Sequence, residues 1–201
     1  MSKVLYIKAD AKRDSQSRTY RISEKFIEEY KKNNPKDEII TLDLYREDIN
    51  FLHEDDLPDL FSSNPEEKRE HRILKYAYQF VESDKYVIAS PFWNLSIPAI
   101  LKAYIDYVSV TGITFKYTEN GPVGLCNNKK CVHIVTRGGV YGEGPAAAHE
   151  MGDRYLRTIM GFFGITDFTT IAAEGLDVIG NDVEAILQKA INEAQQLAKS
   201  F

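Results

Sequence analysis

The chain's 201 residues, 43% of them apolar and 11% aromatic, suffice for one sizeable core, so a single domain spanning 1–201 is expected. A net charge of −5, with Lys and Arg scattered among acids, argues against nucleic acid as a partner, because phosphate backbones need clustered cations. No stretch approaches the run of roughly 18 apolar residues that a membrane span requires, and no signal-peptide pattern precedes the first apolar run, so a cytoplasmic protein with no membrane contact is expected.

In chain order, the first strand is predicted at Val4–Lys8. After a loop ending at Ser17, Ile22, Phe26 and Tyr30 recur at the four-residue spacing of a helix face. A second strand is expected at Glu38–Leu42, followed by a long insertion, Tyr45–Ser63. Asn64 is a helix-cap candidate, with Pro65 at the first position and Glu67 at the third. Ile73, Leu74, Ala77, Phe80 and Val81 would form that helix's inner face. The third strand, Tyr86–Ser90, leads to a helix patterned on Ile97, Ile100, Leu101, Tyr104, Ile105 and Val108. A second insertion, Thr111–Asn128, carries aromatic residues and turn chemistry at Tyr117–Pro122 that suit an ordered hairpin or an interface element. Strands at Cys131–Thr136 and Phe168–Ala173 flank a helix patterned on Tyr155, Leu156, Ile159, Phe162 and Phe163. The last helix runs through Val183, Ile186, Leu187, Ala190, Ile191, Ala194 and Leu197. Strict alternation of strands and helices implies right-handed crossovers, an α/β class and a parallel sheet covered on both faces.

Cys126 and Cys131 are the only cysteines, and their spacing fits neither a redox nor a zinc pattern, so no metal is expected. A catalytic cysteine would want a histidine beside it, and His133 is expected on the opposite face of the strand from Cys131. Both cysteines are read as reduced thiols without a catalytic role.

In an open parallel sheet, ligands bind beyond the carboxyl ends of the strands. Three loops lie there. The first, Asp10–Ser17, sets the hydroxyls of Ser15 and Ser17 at a helix N-terminus, which suits one phosphate monoester rather than a pyrophosphate, since the glycines of the dinucleotide and nucleotide motifs are missing. Alone, Ser17 reads as no more than a cap and Ser15 as a turn residue. The second, Ser90–Pro98, holds the only Trp beside Phe92 and Asn94, bounded by two prolines, and offers an apolar wall for a flat ring. The third, Thr136–Pro145, places glycines at 138, 139, 142 and 144, so that backbone N–H groups can approach a ligand closely. A phosphate cradle, an aromatic wall and a glycine-rich floor together describe a mononucleotide flavin site.

The motifs Ser2–Leu5, Ser15-Gln16-Ser17, Pro91–Leu95, Thr114–Leu125, Thr136–Gly139 and Gly161–Ile165 occur in an order that resembles the FMN-dependent NADH-azoreductases and NADH:quinone oxidoreductases. The resemblance covers nearly the whole chain. It implies a flavodoxin-like doubly wound five-stranded sheet of order 2-1-3-4-5, tightly bound non-covalent FMN, NADH as donor, quinone or azo acceptors, and a homodimer with the flavin near its interface. The phosphate would lie on Ser15, Gln16 and Ser17. The ring would lie against Phe92, Trp93, Asn94 and Leu95, with its pyrimidine edge at Thr136, Arg137, Gly138 and Gly139. Asp10 is a departure: the family often has a serine in this region of the loop, and a carboxylate near a phosphate is repulsive unless it turns away or bonds a backbone amide. No catalytic side chain is required, since electrons move at the flavin N5; Tyr141 is a candidate proton donor. One shared site for donor and acceptor implies ping-pong order. The competing reading is a flavodoxin-type electron shuttle, and the two insertions weigh against it.

Overall fold

In the computed structural model, which describes residues 1–60 and 70–201, the apolar runs form a parallel sheet. Its strands are β1 (Lys3–Lys8), β2 (Glu38–Asp43), β3 (Lys85–Pro91), β6 (Lys130–Thr136) and β7 (Asp167–Ala173), in the order β2-β1-β3-β6-β7. This is the flavodoxin-like order 2-1-3-4-5 once the separate hairpin of β4 (Phe115–Thr118) and β5 (Gly121–Gly124) is set aside. The strands exceed their apolar runs by a residue or so because ladder pairing is a backbone matter: Lys3 pairs with Glu38 and Lys130 with Asp167. Beyond its first residue each of β1, β3 and β6 is buried throughout, as parallel strands between two helix layers must be.

Alternate residues of each strand feed two cores. Val4, Tyr6, Val87, Ala89, Val132 and Ile134 pack against α1 (Arg18–Asn33) and α6 (Val183–Ala198). Leu5, Ile7, Tyr86, Ile88 and Cys131 pack against α3 (Leu74–Glu82), α4 (Ala99–Val108) and α5 (Gly152–Phe162). Side chains set the helix starts: the Ser17 hydroxyl accepts from Tyr20 N, and Asp182 accepts from Ala185 N. The first insertion contains a single-turn helix, α2 (Leu57–Leu60). The predicted cap at Asn64, Pro65 and Glu67 lies outside the described residues.

The second insertion is the predicted hairpin, and it docks on the C-terminal end of α5. Phe115 packs on Phe162 with ring centroids 4.7 Å apart, and Cys126 N donates to Phe163 O at 2.8 Å. That end of α5 lies at the amino edge of the sheet, so the hairpin neither covers nor adjoins the carboxyl-edge loops. No helix among the described residues is long and apolar enough to cross a membrane.

Candidate functional site

The strand order reverses between β1 and β3, and the three loops meet over the strand ends there. They line an open cleft, completed by Leu176 and Asp177 from the loop after β7. Asp10, Phe92, Trp93, Thr136, Arg137 and Gly138 line it directly. Ser15 and Gln16 are exposed on a single 3-10 turn, Asp14–Gln16, and Ser17 is buried behind Asp10.

The first loop is closed by its own side chains. Asp10 turns inward: its carboxylate accepts from Lys12 N at 3.0 Å and from the Ser17 hydroxyl at 2.6 Å. The Tyr20 hydroxyl accepts from Asp10 N at 2.7 Å and donates to Asp10 O at 3.0 Å. Burial pushes the Tyr20 phenol well above its ordinary pKa and keeps that donor protonated. Ser17 therefore has its hydroxyl engaged on both sides, by Asp10 and by the α1 cap, and its N–H donates to Arg13 O. The first intrahelical bond of α1 is from Arg21 N to Ser17 O, which leaves the N–H groups of Arg18 and Thr19 ahead of it for a ligand.

The second loop is a two-residue turn. Trp93 N donates to Ser96 O and Ser96 N to Trp93 O, both at 2.9 Å. Asn94 and Leu95 both have positive φ, 48° and 69°, as the two central residues of a type I′ turn do. A left-handed leucine costs on the order of 1 kcal/mol, and Met151 N, bonded to Leu95 O at 3.0 Å, helps hold it there. The turn leaves Trp93 37% exposed at the cleft and sets Phe92 against Tyr141, ring centroids 4.7 Å apart. Tyr141 also lies over Gly139, so its ring is packed on two sides.

The third loop is anchored by carbonyls: Arg137 O, Gly138 O and Gly139 O accept from Leu176, Asp177 and Gly175 N. The Gly138 and Gly139 N–H groups have no partner among the described residues and are left to present. Arg137 is 4% exposed, with Nη1 2.9 Å from Glu174 and Nη2 3.2 Å from Glu150. Its guanidinium lies 5.5 Å from the Phe92 ring centre. Glu150 also accepts from the N–H groups of Gly152, Asp153 and Arg154, so one carboxylate caps α5 and fixes the arginine. Arg137 Nε is buried with no partner among the described residues, and a buried donor requires an acceptor.

Comparison with known proteins bears on this cleft. The flavodoxin-like fold family matches residues 2–198. A Clostridium acetobutylicum protein named FMN-dependent NADH:quinone oxidoreductase 2 is 66% identical over the full length of both chains. The chain belongs to that family. A Clostridium perfringens FMN-dependent NADH:quinone oxidoreductase is 65% identical, again over both full chains. The crystal structure of a Bacillus anthracis azoreductase superposes with a TM-score of 0.90 at 39% identity, each chain covered completely. The family's cofactor suits the donors present: neutral N–H groups at a helix start for a monoester, an aromatic wall for a ring, and the orphaned Arg137 Nε with the Gly138 and Gly139 N–H groups for a ring's acceptor edge.

Sequence reasoning missed the charged partners that hold this floor, Glu150, Glu174 and Asp177, and a buried chain beneath it. His133 Nε2 is 3.1 Å from the Ser90 hydroxyl, and Nδ1 is 2.9 Å from Asp153. Arg157 and Thr170 also donate to Asp153, at 2.9 and 2.5 Å. Ser90 and His133 are buried, so this Ser–His–Asp line has no room for a substrate and ties β3, β6 and α5 together under the cleft. The expectation that His133 and Cys131 face opposite ways is corrected: residues two apart share a strand face, and both point toward α5. Both cysteines are free and buried; burial pushes their thiols up, Cys126 to about 11, which disfavours the reactive thiolate.

Proposed function

We propose that this chain is an FMN-dependent oxidoreductase that passes two electrons from NADH to quinones, with azo compounds as a second acceptor class. The single observation that carries the reading is the cleft itself, where a buried arginine with an unpartnered Nε, a wall of Phe92 and Trp93, and a helix N-terminus converge. Bound FMN supplies the redox chemistry, as flavins do. The Ser15 hydroxyl, the Gln16 side chain and the N–H groups of Arg18 and Thr19 would take the phosphate; Asp10, at the cleft wall, and Ser17 behind it shape that loop. Phe92, Trp93 and the Asn94–Leu95 turn would fix the ring plane and keep water from one face. Gly138 N–H, Gly139 N–H and Arg137 would put donors where negative charge develops, without reorganisation during the reaction. Thr136 positions this floor through its hydroxyl, 2.6 Å from that of Thr19. Tyr141 has its ring at this edge and would serve as a wall, with proton donation a secondary role.

Donor and acceptor would use this open cleft in turn. Initial rates with NADH and a soluble benzoquinone are expected to give parallel double-reciprocal lines, and an azo dye should replace the quinone with the same pattern. Intersecting lines would mean that both substrates bind together and would sink the shared-site mechanism.

A further inference from the structure

We infer that Arg18 carries the counter-charge for the cofactor phosphate, and that Asp177 holds its place across the cleft until the phosphate arrives. The inference rests on the FMN reading above. Arg18 is the first residue of α1, beside the N–H groups that precede the first intrahelical bond. Its Nη1 reaches across to the loop after β7, 2.8 Å from Asp177 Oδ1 and 3.4 Å from Leu176 O. Both side chains line the cleft. A Cβ built on Gly138 would lie 2.6 Å from Asp177 Oδ2, so this carboxylate rests directly over the glycine floor, where a ligand has to sit. The Asp177 backbone is fixed separately, its N–H donating to Gly138 O at 2.9 Å, so the side chain can swing out while the loop stays.

Two other charges at the cleft are engaged, while the Lys12 ammonium, which also lines it, makes no ion pair among the described residues and lies on the loop ahead of the helix start. Asp10 is held by Lys12 N and Ser17, and Arg137 by Glu150 and Glu174. The Arg18–Asp177 pair is solvated, its side chains 39% and 70% exposed, and such pairs contribute little and exchange readily. A phosphate monoester brings nearly twice the charge of a carboxylate and three acceptor oxygens, which a guanidinium can grip in parallel beside a helix N-terminus. Exchange of Asp177 for phosphate would select the phosphorylated flavin over riboflavin and clear the Gly138 floor in the same movement.

The test is titration of apo-protein with FMN and with riboflavin, followed by flavin fluorescence, for the wild type, Arg18→Gln, Asp177→Asn and the double variant. Arg18→Gln should weaken FMN about tenfold or more and leave riboflavin unchanged. Asp177→Asn should tighten FMN, and should do so more than for riboflavin only while Arg18 is present. An Arg18→Gln protein that binds FMN as the wild type does, or that loses both flavins equally, overturns the inference. So does Asp177→Asn tightening both flavins alike, which would make Asp177 a mere plug over the ring site. A wild type that binds neither flavin overturns the FMN reading and this inference with it.

Discussion

Asp153 shows how single residues under the cleft trade burial against pairing. Burial acts to raise its carboxyl, but the bond and charge of His133, the bond from Thr170 and the charge of Arg157 outweigh it and hold the group well below the usual carboxylate range. A depressed folded-state pKa contributes stability that is fully present above the unfolded value, about 3.9, and is lost as pH falls through the folded value. Asp153→Asn should therefore be less stable than the wild type by about 2–3 kcal/mol near neutrality, and the gap should narrow as pH drops below about 4. Urea unfolding over a pH series measures it; a gap that ignores pH would assign the effect to shape rather than charge. The cleft-lining residues of the three loops were legible because each sits in a short motif at a strand end. Glu150, Glu174 and Asp177 were not, because nothing local to Arg137 names a partner tens of residues away. The bonding of Asp10 was legible only as one of two alternatives, facing away or bonding a backbone amide, and its bond from Lys12 N is the second of them.

At the scale of elements, helical period and apolar run specified the five strands of the parallel sheet and the five long helices, since each buries one stripe or two faces. The hairpin was legible too, from its turn chemistry, but its docking site was not, because a turn fixes local register and says nothing of what lies against it. That site is set by Gly124: a Cβ there would stand 2.2 Å from Gly164 N and from the Phe163 carbonyl carbon, both backbone atoms. Gly124→Ala must push the hairpin off α5 and should cost about 1–3 kcal/mol, read as a lower urea midpoint at unchanged slope. FMN affinity should not change, because the hairpin is at the opposite sheet edge from the cleft. A variant as stable as the wild type would contradict the packing described.

For the whole molecule, the hairpin's position removes one reason for expecting a homodimer, and the surface supplies another. Phe51 is 74% exposed beside a groove lined by Ile49, Ala99, Ile100 and Ala103, which adjoins the aromatic loop through Pro98. Apolar surface of this kind next to a cofactor cleft suits a self-complementary twofold contact that walls the open side of each site. A homodimer with one flavin per chain, reduced by NADH and reoxidised by quinone, is then the expected working unit. Sedimentation of the protein followed at the flavin absorbance, with NADH and then a quinone added anaerobically, tests this most directly. One equivalent of yellow flavin should move at twice the chain mass, bleached by NADH and restored by the quinone. Protein that sediments colourless after incubation with FMN, or a bound flavin that NADH leaves yellow, would contradict it.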